Sequence, residues 1–235
     1  MARTENLAGE ARDLRFDVRT GRREQQTIIG ISHLVLQPGT VTAFAGPSGS
    51  GKSTLLYLLS GLLTPSNGTV TWGGQNLAEM GETSRDRWRR QNAGFVFQNF
   101  HLIDELSPLD NVLTPGWFSS YSAAPLRERA KTLLDRFGVP LDRKYTSLLS
   151  RGEQQRVAIA RALLFDPKVV FADEPTASLD TTAGSEVVAA LSALATVEQK
   201  TVLVATHDPA LLAASSYVVA LDHGRLVAAR SLEPA

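Results

Sequence analysis

No cysteine occurs among the 235 residues. That excludes disulfide frames, thiolate nucleophiles and thiolate metal cages together, and it fits a reducing compartment. Neither charge is in surplus: 24 Lys and Arg stand against 24 Asp and Glu, for a formal net charge of zero. Overall charge therefore gives no drive toward nucleic acid, and no nucleic-acid partner is expected. No apolar run approaches the ~18 residues that a membrane-spanning helix needs. The opening stretch MARTENLAGEARDLRF is polar and charged and has no apolar core of a secretory signal. Low-complexity tracts and useful repeats are missing as well. What remains is an ordinary globular composition, 43% apolar and 20% charged, long enough to bury a sizeable core.

Strand and helix patterns alternate along the chain. TVTAFA (40–45) reads as a strand running into a Gly-rich turn, and STLLYLLSGLL (53–63) has helical spacing. GTVTWGGQNL (68–77) reads as strand and turn, and GFVFQ (94–98) as another short strand. The stretch from Leu77 to Arg90, with four arginines between 85 and 90, reads as a solvated helix face. Residues 99–150 change character: four prolines (Pro108, Pro115, Pro125, Pro140) and one helical segment, PLRERAKTLLDRFG, predict a helical insert. A helix (152–165), a buried strand KVVFA, a helix (about 181–195), a strand TVLVA and a terminal hairpin YVVALDHGRLVAA follow. Such alternation predicts an α/β protein with a parallel sheet wrapped by helices.

GPSGSGKS (Gly46–Ser53) matches G-x-x-x-x-G-K-[ST] at every fixed position, after a strand and before a helix. Glycines let the loop curl so that successive N–H groups converge on phosphate oxygens. The helix that follows adds its positive end. Lys52 is placed to reach β- and γ-phosphates, and the Ser53 hydroxyl to ligate Mg²⁺. VVFADE (169–174) adds two acids. Four apolar residues suit a strand buried on both faces, which puts Asp173 at the carboxyl end, where open α/β sheets bind ligands. An acid there holds Mg²⁺ from the side opposite Ser53. Glu174 comes next, close enough to orient or deprotonate an attacking water.

LLSRGEQQRVAIARA (148–162) reads as the start of another helix. Ser150 and Glu153 have the spacing of a capping box, and an apolar run follows. A capped helix start is also an anion site.

Five ordered motifs, GPSGSGKST, FVFQNF, LSRGEQQR, VVFADEPTASLD and ATHD, make the chain resemble an ATP-binding-cassette (ABC) ATPase from about residue 12 to 230. SGSGKSTLL, GFVFQNFHLIDELSPLDNV and GEQQRVAIARAL are most similar to the subgroup serving lipoprotein-releasing and macrolide-efflux systems. The resemblance implies one ABC ATPase domain over 1–235. It implies a P-loop NTPase core with a parallel sheet, an N-terminal antiparallel β subdomain and a helical subdomain at roughly 99–160. It implies that ATP contacts Gly46, Pro47, Ser48, Gly49, Ser50, Gly51, Lys52, Ser53 and Thr54, with Mg²⁺ at Ser53, Gln98 and Asp173. Gln98 then also senses a membrane partner, His207 contacts the γ-phosphate and holds Glu174, and Asp180 signals across a subunit boundary. Each ATP lies between one copy's Lys52 loop and the Ser150–Gly152 tip of a second, head-to-tail copy, a homodimer being expected. The reaction implied is hydrolysis of ATP to ADP and phosphate. It is coupled to an integral membrane permease subunit, on the cytoplasmic side of the membrane, in export of lipoprotein, peptide or drug. A membrane-docked signalling or cell-division ATPase, and a soluble ABC ATPase of DNA repair or translation, are the alternatives.

Two positions depart from the family pattern. Arg151 stands where a glycine is usual; its side chain is expected to point away from the facing loop. Val18 aligns with the aromatic that normally stacks on adenine, and Phe16 lies two residues away, so the expectation is either weak stacking or stacking by Phe16. The docking surface for the membrane subunit is expected in 99–121, where Phe100, Leu102, Ile103, Trp117 and Phe118 are more apolar than a solvated loop requires. For Trp117 and Phe118 a small core under the helical insert serves equally well.

Overall fold

The computed structural model describes residues 7–21, 25–117 and 123–231. Two strands at the start, β1 (Gly9–Arg19) and β2 (Gln25–Leu36), pair antiparallel, and β4 (Asn67–Trp72) and β5 (Gln75–Asn76) extend them into a sheet ordered β2-β1-β4-β5. The second sheet is built from β3 (Val41–Ala45), β6 (Ala93–Val96), β7 (Val169–Asp173), β8 (Thr201–Ala205), β9 (Tyr217–Asp222) and β10 (Arg225–Ser231). Its order is β10-β9-β3-β8-β7-β6. Every pairing in it is parallel except β10 with β9, so the expected parallel sheet carries one antiparallel hairpin at its edge.

The central strands VVFAD and TVLVA are buried at every position, as strands covered on both faces must be. Alternation divides their side chains between two cores. Val169, Phe171, Leu203, Ala205 and Phe44 face the antiparallel sheet and helix α1 (Lys52–Leu59). Val170, Ala172, Val202 and Val204 face the other side, with α3 (Pro108–Trp117), α4 (Ala123–Arg136), α5 (Arg151–Ala162), α6 (Thr181–Thr196) and α7 (Pro209–Ala214). Trp72 closes the first core: it is fully buried, its indole N–H donates to the Leu59 carbonyl at 2.8 Å, and its ring meets Phe171 edge-on.

Three sequence expectations need correction. Helix α3 adds a second helix to the expected helical insert, ahead of the one segment PLRERAKTLLDRFG that the sequence singled out. Pro108 is at the start of α3, where an N–H has no helical partner to lose, and Pro115 lies inside it, where the Asn111 carbonyl that it leaves accepts from the Thr114 hydroxyl at 2.8 Å; Pro125 sits in the first turn of α4. The short α7 also lay unread before the terminal hairpin. The arginine-rich helix α2 (Glu82–Asn92) is not all solvated: Trp88 is buried and the Arg89 guanidinium donates to the Gly61 carbonyl.

The β9–β10 hairpin turns on His223 (φ 44°) and Gly224 (φ 74°), the doubly left-handed two-residue turn that matches strand twist. This turn also knits the sheets together. Gly224 N–H donates to the Ser50 carbonyl, and the Gly224 carbonyl accepts from Gly30 N–H, both at 2.9 Å. A Cβ at 224 would stand 1.9 Å from the Ile28 carbonyl oxygen. Gly224→Ala is therefore expected to lower unfolding stability by about 1–3 kcal/mol in denaturant titration. His223→Gly, which keeps the turn, is expected to stay near the parent.

Candidate active site

Four strands of the parallel run, β3, β6, β7 and β8, each deliver one piece of the site at the carboxyl end, where the topology leaves a crevice. From β3 the chain enters the glycine loop. Gly46 has no room for a side chain: its Cβ would meet the Leu221 carbonyl oxygen at 2.3 Å. Gly49 has open space around it and a φ of +78°, so its requirement is conformational. Helix α1 then starts at Gly51 with no side-chain cap and no acid in its first turn. Its free N–H groups and positive end are left for a ligand. Lys52, 8% exposed, lays its ammonium on the Gly46 and Pro47 carbonyls at 2.9 and 3.2 Å, and 3.8 Å from Glu174 Oε1.

From β7 comes Asp173, 4% exposed, with both carboxylate oxygens engaged by α1. The Ser53 hydroxyl donates to Oδ1 and the Tyr57 hydroxyl to Oδ2, each at 2.8 Å. Tyr57 escaped the sequence reading, although it lies four residues after Ser53 and so on the same helix face. Burial, together with Asp173, pushes its hydroxyl far above the usual tyrosine range, which keeps it a proton donor.

Glu174 follows in a left-handed conformation (φ 43°) unusual for a residue with a side chain. Its N–H donates to the Ala205 carbonyl at the end of β8. From that strand end His207, held by the buried Thr206 whose N–H bonds Phe44, brings Nδ1 to 2.9 and 3.0 Å from the Glu174 oxygens. A carboxylate only accepts, so Nδ1 carries the proton.

Gln98, just past β6, completes a cleft of about 540 Å³ that it lines with the glycine loop, Lys52, Ser53, Thr54, Glu174 and His207. Pro47, Ser48 and Gly49 form its exposed rim; Ser50 is buried and does not line it. Nor does Phe16, which packs half-buried against the core of the antiparallel sheet. Phe16 pairs with Ile29 and Asp17 with Thr27, so Ile28 is the extra residue of a bulge, and Ile28 is the apolar side chain in the cleft.

Ser150, Gly152 and Asp180 line a different cavity, of about 390 Å³, with Arg151 and Arg156. Ser150 caps α5 in a complete box: its hydroxyl accepts from Glu153 N–H at 3.2 Å, and Glu153 accepts from Ser150 N–H at 2.7 Å. The Ser150 N–H holds the Glu153 carboxyl below its ordinary range, so the box persists at neutral pH and opens only on acidification below that range. Asp180 caps α6, accepting from Ala183 N–H. Gly152 lets the two helix starts touch: its Cβ would stand 2.8 Å from that of Ala183.

The cleft suits a triphosphate, with uncapped helix amides, a loop with glycine at 46, 49 and 51, and one cation converging. Among the described residues no three His, Cys, Asp or Glu side chains cluster as a metal cage. One buried carboxylate beside one hydroxyl fits Mg²⁺, which draws its remaining ligands from phosphate and water.

Known proteins agree with this geometry. The family described as ABC transporter matches residues 30–177. A lipoprotein-releasing system ATP-binding protein LolD of Chromohalobacter salexigens is 42% identical over 201 residues, covering 85% of each chain. A macrolide export ATP-binding/permease protein MacB of Paracoccus denitrificans is 43% identical over 82% of this chain and 29% of its own length. The ATP-binding cassette MJ0796, solved as a dimer in a post-hydrolysis state with ADP and Pi, superposes with a TM-score of 0.88 at 31% identity, over 97% of this chain and 100% of its own. The chain thus belongs to the ABC transporter family and is an ATP-hydrolysing subunit of it.

Proposed function

We propose that two copies of this chain pack head to tail around two ATP molecules and drive export through a separate integral membrane subunit. The observation that carries this reading is the division of the anion-binding machinery. The glycine loop and the Ser150–Gly152 tip line separate cavities of one chain. A triphosphate held by the first reaches the second only in another copy.

In this reading the loop amides and Lys52 grip the β- and γ-phosphates, and Ser53, Asp173 and Gln98 hold Mg²⁺. The metal supplies charge neutralisation on the phosphoryl oxygens. Glu174 aligns the attacking water and takes up its proton at a carboxylate oxygen. His207 fixes that carboxylate through Nδ1–H, and Lys52 lies beside it. Asp180 reports across the boundary between copies. Ile28 supplies the apolar contact for adenine that was expected of Phe16.

No helix among the described residues is long and apolar enough to cross a membrane. The LolD and MacB relatives support a membrane partner as the load, with the chain on its cytoplasmic face. Ile103 and Trp117, 45% and 56% exposed, are the apolar contacts for it. Phe100 is buried and Leu102 packs on the core, so neither serves, and Phe118 lies outside the described residues. The LolD and MacB relatives favour lipoprotein or drug extrusion as the work done.

Glu174→Gln is expected to bind ATP, form a stable dimer in sedimentation, and turn over at least about a hundredfold more slowly. Near-normal turnover, or a monomer at saturating ATP, would remove the reading. Tyr57→Phe leaves Asp173 with one hydroxyl. It is expected to raise the Mg²⁺ concentration for half-maximal hydrolysis about tenfold while metal-free ATP binding, measured in EDTA, stays unchanged. An unshifted Mg²⁺ midpoint would show that Tyr57 is structural only.

A further inference from the structure

The segment after Gln98 is bent into an uncommon shape. Phe100 (φ 56°) and His101 (φ 49°) are consecutive left-handed residues with side chains, and Phe100 is 3% exposed. Such backbone persists only where its surroundings hold it. Here one helix does so from both of its ends. Arg161, in the last turn of α5, donates to the Phe100 and His101 carbonyls. Arg151, the first residue of α5, places its guanidinium 4.6 Å from the centre of the Phe100 ring. The segment leads on to Ile103, whose N–H donates to the buried Asn111 at 2.8 Å.

Arg151 lies between Ser150 and Gly152, at the tip itself. A glycine there has nothing to lay on Phe100. The guanidinium thus bridges the tip that meets a second copy's nucleotide and the segment that runs from the cleft to the exposed Ile103.

We propose that Arg151 is a positioning residue: its stacking on Phe100 makes the Ser150–Gly152 tip and the 98–103 segment move as one body. A partner that displaces the segment then displaces the tip, and the grip on the second copy's ATP follows. This rests on the sandwiched-nucleotide reading, and the first arm of the test does not.

That arm is hydrogen exchange of amides 99–103 in the full chain without nucleotide. Arg151→Gly and Arg151→Met are expected to speed exchange about three- to tenfold, and Arg151→Lys, which keeps a cation over the ring, to restore most of the protection. In the second arm, in a Glu174→Gln background, the ATP concentration for half-maximal dimerisation is expected to rise by a similar factor for Gly and Met but not for Lys. Phe100→Leu is expected to give the same shift, and to add nothing once Arg151 is Gly. Unchanged exchange, Met performing as well as Lys, or additive effects would overturn the proposal. Should Glu174→Gln not dimerise, the sandwich fails and the exchange arm alone decides the clamp; should Phe100→Leu not fold, the three Arg151 variants decide it.

Discussion

One buried carboxylate held by two hydroxyls of one helix fixes the geometry on which everything else is hung. Asp173 ends a strand with no solvent-facing position, and an ionised group so placed must be hydrogen-bonded. Ser53 and Tyr57 do this from adjacent turns of α1. Two contacts a turn apart set both the rotation of that helix and its height above the sheet. The glycine loop is thereby fixed over the strand ends, and Lys52 comes to rest near Glu174. The left-handed backbone of Glu174, tied to the end of β8, sends its side chain back toward the same point rather than onward with the chain.

Helix α5 plays the corresponding part for the helical region. Its apolar face lies in the core with α3 and α4, and it also packs on β6. Gln155, fully buried, donates to the Pro175 carbonyl just after Glu174. The same helix therefore touches the loop after Glu174, the segment after Gln98, and α6 through Gly152. The two cavities lie apart, yet the chain between them is continuous and packed.

Much of this was legible in the sequence because local chemistry decided it. The glycine loop, the buried strands VVFAD and TVLVA, and the Ser150–Glu153 box are each set by residues within a few positions. Long-range packing decided the rest. Phe16 does not line the cleft, whereas Ile28, the extra residue of a bulge across the β1–β2 ladder, does, and a bulge is set by the pairing of two strands. Helix α3 was hidden by Pro115, which removes an N–H inside the helix; the Thr114 hydroxyl takes up the freed Asn111 carbonyl, and that exchange of donors is visible only in the folded chain. Phe100 reads as a surface aromatic until the left-handed turn buries it. Tyr57 was within reach, since its spacing from Ser53 was visible, but nothing in the sequence said that one acid would require two donors.

The two helix starts differ in a way that bears on reversibility. At α1 the amide groups are bare, so an incoming anion displaces nothing but water. At α5 the serine oxygen is already occupied, and a negative side chain sits in the first turn, cancelling part of the helix's positive end. Such a tip is a reluctant host: any phosphate docking there must displace an internal rival. Affinity is forfeited, and ease of release is gained. Under the proposed head-to-tail pairing, a subunit built this way loads its nucleotide readily when alone and gives up its neighbour's easily once the terminal phosphate is no longer attached.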